Sequence, residues 1–280
     1  MRFAYQGEPG AYSEAAALRF TDHADLLACE SFEQVFEAVD QGKATHGVLP
    51  VENSIGGSIH RNYDLLLEHD LPIVGEVQLV ITHNLMALPG TRIDQLTRIY
   101  SHPQALAQCE RFLRALPHVA VEATYDTAGS AKLVKEKHLV GAGAIASERA
   151  AQVFGLEILQ SEIQDFSDNI TRFLVVSRVA DPDPLVDKTT VVFSLPNEPG
   201  ALFKALSVFA LRDIDLTKIE SRPIRGRPWE YLFYVDLPLG RHDLRCSRAL
   251  VHLAEFARSM RTLGSYKSWK SRESATPSQV

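Results

Sequence analysis

Over its first 180 or so residues the chain alternates strand-like and helix-like segments, and this alternation narrows the choice of fold more than any other feature. RFAYQ is followed by AYSEAAALRF, LLACE by SFEQVFEAVDQG, and HGVLPVE by IHRNYDLLLEH. A chain that passes from strand to helix repeatedly predicts an α/β sheet covered by helices. Ser31 stands where a helix N-cap belongs, and Gly42 where that helix should stop.

A long apolar stretch, LPIVGEVQLVITHNLMAL at 71–88, reads as strand because it is rich in β-branched residues and contains Gly75. A second set of elements follows: TRIYS, a helix PQALAQCERFLRAL, VAVEATY, TAGSAKLVKEK, LVGAGAIA, SERAAQVFG and LEILQ. The strand in SDNITRFLVVSR then returns to the first set. This order predicts two α/β lobes joined by crossover strands, with a cleft of the kind that favours ligands between them.

VADPDPLVDK at 179–188 breaks the pattern with two Asp-Pro pairs and reads as a linker. Beyond it come a strand TTVVFSLP, a helix GALFKALSVFALRD, strands IDLTKIESRP and WEYLFYVDLP, a helix SRALVHLAEFARSMRTLG and a strand SYKSW. The order βαββαβ is the ferredoxin-like unit. The last residues, SRESATPSQV, are small and polar and read as disordered.

Composition excludes several classes. Net charge is −6, from 29 basic and 35 acidic residues, with no dense Lys/Arg stripe outside the tail region, which argues against nucleic acid as a partner. No apolar run reaches the roughly 20 residues that span a bilayer, and the chain opens on a strand rather than a signal segment, so a cytoplasmic protein without a membrane partner is expected. Cys29, Cys109 and Cys246 are odd in number, far apart and in apolar or helical settings, as suits buried thiols in a reducing compartment. The ten histidines show no HxH or HxxxH spacing, and no metal is expected.

Several short stretches carry polar groups where an α/β sheet places ligands. In AYQGEPGAYSEAA, Gly7 and Gly10 bracket a turn into a helix near Ala11, where backbone N–H groups can meet an anion or simply turn the chain. VLPVENSIGGS delivers Asn53 and Ser54 to a strand's carboxyl edge, as ligand contacts or as helix caps. Ser101 precedes a first-turn proline, and Gln108, seven positions on, shares its side of the helix. Thr171 and Arg172 stand at the mouth of the FLVV run, after Asp168 and Asn169, which read as turn residues. GAGAIA at 141–146 mimics a dinucleotide-binding glycine motif, but the strand before it is short and the helix after it starts late. Each piece alone has an ordinary structural explanation.

In combination, AYQGEPGAYSE, ENSIGGS, SHPQALAQC, YDTAGSA, NITRF and LPNEPGALFKALSVFALRDIDLTKIESRP resemble the prephenate dehydratase family with its C-terminal ACT regulatory domain, over about residues 1–270. The resemblance implies an α/β fold: a two-lobed, periplasmic-binding-protein-like catalytic domain with a central cleft, followed by a ferredoxin-like βαββαβ ACT domain. The implied boundaries are 1–180 for the catalytic domain (lobe one about 1–78 plus 163–180, lobe two about 79–162), 181–187 for the linker, 188–270 for the ACT domain and 271–280 for a disordered tail.

The implied reaction removes water and carbon dioxide from prephenate to give phenylpyruvate, on the route to phenylalanine. Thr171 is implied as the hydrogen-bond or proton donor to the departing hydroxyl, with Asn53, Ser101 and Gln108 as catalytic partners. Arg172, Phe173, Ser54, Gly10 and Ala11 are implied at the substrate, Arg172 either binding a carboxylate or orienting the strand end. The ACT domain is implied to bind phenylalanine through Asn197, Gly200, Ala201, Leu202, Glu220, Ser221, Arg222 and Pro223 at the interface of a homodimer or homotetramer. No cofactor is expected. Arogenate dehydratase, which makes phenylalanine directly, shares these motifs. A non-catalytic two-lobed amino-acid sensor and a nicotinamide dehydrogenase are the more distant alternatives.

Overall fold

The computed structural model describes residues 1–21 and 23–271. The chain begins β1 (Arg2–Gln6), α1 (Tyr12–Phe20), β2 (Asp25–Cys29), α2 (Phe32–Asp40), β3 (His46–Asn53), a two-residue β4 (Gly57–Ser58), α3 (His60–Glu68) and β5 (Ile73–Val80). A second run follows: β6 (Asn84–Ala87), β7 (Arg98–Ser101), α4 (Pro103–Gln108), α5 (Glu110–Arg114), β8 (Ala120–Ala123), α6 (Thr127–Glu136), β9 (Ala142–Ala146), α7 (Glu148–Phe154) and β10 (Glu157–Gln160). Then come β11 (Ile170–Ser177), β12 (Lys188–Ser194), α8 (Ala201–Ala210), β13 (Lys218–Pro223), β14 (Tyr231–Leu237), α9 (Leu244–Phe256) and β15 (Ser259–Tyr266).

These strands form three sheets. The first has the order β2-β1-β3-β11-β5 with β4 on β3, the second β10-β6-β9-β7-β8, and the third β13-β14-β12-β15. Lobe one is therefore closed by β11, which crosses back from the second run to lie between β3 and β5. Strand pairs β1–β2 and β1–β3 are parallel, as are β7–β8 and β7–β9. In parallel sheets the carboxyl ends of the strands and the starts of the helices share one edge, and that geometry positions the site.

Local chemistry explains the helix starts. Ser31 accepts the Gln34 N–H at 3.3 Å, Ser147 accepts the Ala150 N–H at 3.0 Å, and Asp126 accepts the Gly129 N–H. One face of α2, with Val35, Phe36, Ala38 and Val39, is buried on the first sheet; Ala128, Ala131 and Val134 of α6 pack with β9 in the core of the second lobe.

Three expectations are corrected. The 71–88 stretch is two strands, broken at Ile81–His83, because Ile81 N–H donates to the Asn169 carbonyl and His83 N–H to the Gln164 side chain, carrying the chain from one sheet to the other. The helix expected over PQALAQCERFLRAL is two, α4 and α5, parted at Cys109, whose backbone at φ −115°, ψ 26° is not helical. The last helix ends at Phe256, and SMRTLGSY pairs along β12 instead, from Ser259 opposite Ser194 to Tyr266 opposite Lys188. The GAGAIA glycines lie in and beside the buried β9, and the next helix starts only at Glu148, so no phosphate-cradling turn exists there. Residues 272–280 of the expected tail lie outside the described residues.

By compactness the backbone divides into one unit of Met1–Leu65 with Val77–Phe173 and another of Leu66–Glu76 with Leu174–Val280. The first unit holds the cleft, the second lobe, and the first lobe apart from 66–76 and the part of β11 beyond Phe173. In the second, the all-antiparallel βαββαβ sheet packs α8 and α9 over Val191, Phe193, Val208, Phe209, Cys246 and Leu253. Residues 66–76 group with it because buried Lys188 reaches Glu76 at 2.8 Å, the Trp269 N–H donates to the same carboxylate, and Gly264 lies against Ile73.

Candidate active site

The first unit contains a cavity of about 550 Å³ lined by both lobes. From lobe one come Ala11, Tyr12 and Ser13 at the start of α1, Ser31 to Glu33 at the start of α2, Asn53 at the end of β3, and Thr171 and Phe173 on β11. From lobe two come His83, His102, Gln104, Gln108 and the α6 start at Asp126 and Thr127. The N-termini of α1, α2 and α6 thus face one space, with partial positive charge suited to an anionic ligand. Among the described lining residues there is no Lys or Arg, while Glu30, Glu33 and Asp126 supply carboxylates.

The floor of the cleft is a connected network of side-chain amides. The Asn53 side-chain oxygen accepts the backbone N–H groups of Ile55 at 3.1 Å and Gly56 at 2.7 Å. Those two donors fix the orientation of the amide, so its nitrogen must point the other way. That nitrogen donates to the Asn169 side-chain oxygen at 2.7 Å and to the Thr171 hydroxyl oxygen at 2.9 Å. Asn169 in turn donates to Gln108 Oε1 at 3.0 Å, and a longer 3.5 Å approach of Gln108 Nε2 to Asn53 Oδ1 closes a ring of three amides.

Gln108 Oε1 also lies 2.8 Å from His83 Nε2, and His83 Nδ1 lies 3.1 Å from the Tyr12 hydroxyl. An oxygen can only accept, so His83 carries its proton on Nε2. Burial holds His83 below the ordinary imidazole range and pushes the Tyr12 phenol far above its own. The network is therefore neutral near pH 7. At the α4–α5 junction, burial pushes the Cys109 thiol up to about 12, which leaves it inert as a nucleophile. Burial also raises Asp126, whereas a hydrogen bond from Arg61 lowers Glu33.

The structure thus brings together Asn53, Gln108 and Thr171, with Phe173 and Ala11 in the cleft wall. Ser101 is not with them: fully buried, its hydroxyl donates to the Ile145 carbonyl at 2.6 Å and ties β7 to β9. Ser54 lies outside the lining and holds the turn before β11, donating to the Asp168 carbonyl and accepting the Ile170 N–H. Arg172 is also outside the lining; side chains alternate along a strand, so it points away from the face shared by Thr171 and Phe173. Gly10 supports the site from behind: it has φ +91°, and a Cβ there would lie 2.6 Å from the Ala150 Cα.

Asn169, His83 and Tyr12 were missed as site residues. Asn169 carried a signal, because the two-residue period of a strand places it on the same face as Thr171. His83 carried a weaker one, as part of a polar Thr-His-Asn interruption inside an apolar run.

In the second unit, Gly200 is the N-cap of α8 with φ +80°, in open space, so its backbone conformation is what favours glycine. Ala201 and Leu202 form the first helical turn, and exposed Asn197 lies in the loop before it. Glu220, Ser221, Arg222 and Pro223 end the edge strand β13. Leu232 of β14 pairs with Ser194 on one side and Arg222 on the other, so these two groups lie at the same end of the sheet. Among the described residues no cluster of three His, Cys, Asp or Glu side chains could hold a metal.

Fold and site together define a two-lobed α/β protein whose cleft has an uncharged, hydrogen-bonded floor, followed by a ferredoxin-like unit. The family model of prephenate dehydratase matches residues 3–181 and that of the ACT domain residues 189–241, and the chain belongs to the prephenate dehydratase family. It is 51% identical over 281 residues to "Arogenate dehydratase/prephenate dehydratase 2, chloroplastic" of Arabidopsis thaliana, covering 95% of this chain and 72% of that one. A prephenate dehydratase from Arthrobacter aurescens, solved with L-Phe, superposes with a TM-score of 0.88 at 33% identity, over 96% of this chain and 91% of that one. A protein described as GqqA, a quorum-quenching acylase, superposes with a TM-score of 0.89 at 34% identity, over 97% of this chain and all of that one. Among the described residues no helix is long and apolar enough to cross a membrane.

Proposed function

We propose that this chain removes water and carbon dioxide together from a prephenate-type cyclohexadiene, forming an aromatic ring. The observation that carries the reading is the direction of the Asn53–Thr171 hydrogen bond: the Thr171 oxygen accepts from the amide at 2.9 Å, so this bond does not use the hydroxyl proton, and Thr171 lines the cleft where a ligand can take it. A leaving hydroxyl develops negative charge, so a donor fixed for it lowers the barrier more than it aids ground-state binding. The substrate carboxylates meet the N-termini of α1, α2 and α6.

The same bond argues against acyl transfer, the activity named for the GqqA structure. A nucleophilic hydroxyl needs a base to take its proton, and Thr171 has an amide donor beside it instead.

Prephenate giving phenylpyruvate is the first substrate we assign. Arogenate, with an ammonium in place of the side-chain keto group, is the second, and one feature favours it: the lining carries Glu30, Glu33 and Asp126 with no Lys or Arg among its described residues. An added positive charge on the substrate suits that wall. We assign the ACT unit to an amino-acid effector, phenylalanine, held between Gly200–Leu202 and Glu220–Pro223 with a second copy of the chain, and the three buried thiols to a reducing compartment, cytosol or plastid.

The deciding experiment offers prephenate, arogenate and an acyl-homoserine lactone separately to the purified protein, following phenylpyruvate, phenylalanine and the freed amine. Turnover of either cyclohexadiene, lost in Thr171→Ala, supports the reading. Amide hydrolysis alone overturns it.

A further inference from the structure

Asn169 is fully buried, has no place among the residues expected at the site, and is held between the two lobes by an amide on either side at 2.7 and 3.0 Å, the shorter links of the ring. Its oxygen accepts from Asn53 on β3 of lobe one and its nitrogen donates to Gln108 on α4 of lobe two. An amide is polar in one direction only, so Asn169 passes the orientation set at Asn53 on to Gln108. Gln108 Oε1 then faces both donors, the Asn169 amide and His83 Nε2. Reversing Asn169 would turn Gln108 around, face its N–H₂ group toward His83, and bring its oxygen against Asn53 Oδ1.

We infer that Asn169 is a positioning residue: it carries the hydrogen-bond polarity that Ile55 and Gly56 set at Asn53 across the cleft floor to Gln108 and His83, and so fixes which of their groups, donor or acceptor, the substrate meets beside Thr171. The inference rests on the dehydratase reading above for its kinetic consequence, and on the network alone for its spectroscopic one.

Asn169→Asp is the informative variant, because a protonated aspartic acid has the shape of asparagine and the same polarity, an O–H replacing the N–H₂. An ionised carboxylate has no donor for Gln108. The amide then flips, and His83 must move its proton to Nδ1, where the Tyr12 oxygen accepts it while the Tyr12 hydroxyl donates to the Thr82 carbonyl 2.6 Å away. His83 and Tyr12 are the titratable groups tied into the network, and Asp168 and Arg172 flank the position along its own segment.

The test has two readouts on the full chain. With prephenate and arogenate as probes, N169D should lose roughly 10–100-fold in kcat at pH 8 with little change in KM, and regain it as the pH falls through the new carboxyl's titration. The ¹⁵N spectrum of the histidine rings, with His83 assigned through His83→Gln, should show an Nε2–H tautomer in the unaltered protein and an Nδ1–H tautomer in N169D at pH 8.

A kcat deficit that is the same at every pH, with the His83 tautomer unchanged, would overturn the inference. If the unaltered protein turns over neither substrate, the proposed function fails and the tautomer alone decides: a switch upholds the role of Asn169 and no switch removes it. Should N169D not fold, Asn169→Ser replaces it, with a fall in kcat at constant KM expected and an unaltered kcat counting against the role.

Discussion

Asn53 and Thr171 stand 118 positions apart in the sequence and 2.9 Å apart in the fold, the amide nitrogen of one donating to the hydroxyl oxygen of the other. The contact exists because β11 crosses back from the second lobe and lies beside β3. Its direction is set by two backbone N–H groups, those of Ile55 and Gly56, which hold the other end of the Asn53 amide.

Thr171→Ala and the near-isosteric Thr171→Val should both lose about 10²–10³-fold in kcat, since each removes a donor aimed at developing charge. Thr171→Ser should keep a measurable part of the activity. Stability should change by only about 1 kcal/mol, because the Asn53 nitrogen retains the Asn169 oxygen as a partner. Steady-state rates beside melting curves check both halves; a variant that loses kcat only in proportion to unfolding would remove Thr171 from the chemistry.

The stability that buried His83 confers should vanish on the acid side. Burial holds its folded-state pKa below the ordinary 6.5, so the unfolded chain takes up the proton first as pH falls. Relative to His83→Gln, the native protein should therefore lose stability progressively from about pH 6.5 downward, and the difference should be flat above pH 7.5 or so. Urea titrations at a series of pH values measure it; a difference that grows on acidification would contradict a neutral buried ring.

Much of this arrangement was legible in the sequence. The alternation of strands and helices, the Asp-Pro break and the βαββαβ order follow from local propensity and period, and the structure carries all three. Thr171, Asn53 and Gln108 were legible as a combination of motifs. What was hidden depends on contacts between distant segments. Nothing near Ser101 says that its hydroxyl will be taken by Ile145, 44 positions away, and at Asn169 the strand period gives the face but not the two amides from distant segments that enclose it. The break at Ile81–His83 and the helix split at Cys109 have the same origin, because tertiary partners override a continuous local pattern.

Gly10→Ala should cost about 3 kcal/mol or more, combining backbone strain at φ +91° with a Cβ that would meet the Ala150 Cα at 2.6 Å. Neither partner can yield easily, because Ser147, the N-cap of α7, donates its hydroxyl proton to the Gly10 carbonyl at 2.6 Å. A drop of several degrees in melting temperature is expected. Gly57→Ala is the control: it too has a positive φ, but nothing lies within 4 Å of its added methyl, so the gap between the two variants reads the close approach alone.

Lys188 is buried with its ammonium 2.8 Å from Glu76 and 3.6 Å from Asp236. Lys188→Met should destabilise by about 3–5 kcal/mol, because it leaves two buried carboxylates without their cation. Lys188→Met with Glu76→Gln should recover part of that loss, since one of the stranded charges goes with it. A double-variant cycle by chemical denaturation tests the coupling, and simple additivity would mean that the pair is not a unit.

Phenylalanine binding offers the last test, and it separates the second unit from the cleft. Arg222 ends the edge strand β13 at the same end of the sheet as the Asn197–Leu202 turn, with Leu232 of β14 between the two strands. A carboxylate bound there would draw on a charge-assisted hydrogen bond worth about 1.5–3 kcal/mol, so Arg222→Ala should weaken phenylalanine binding by roughly ten- to a hundredfold in calorimetric titration. Under the proposed coupling of effector site and cleft, inhibition by phenylalanine should shift to higher concentration by about the same factor. Thr171→Ala should leave the calorimetric affinity within about twofold, as its hydroxyl lies in the other unit. Affinity lost in the Thr171 variant and retained in the Arg222 variant would move the effector site into the cleft and make phenylalanine a competitor for substrate.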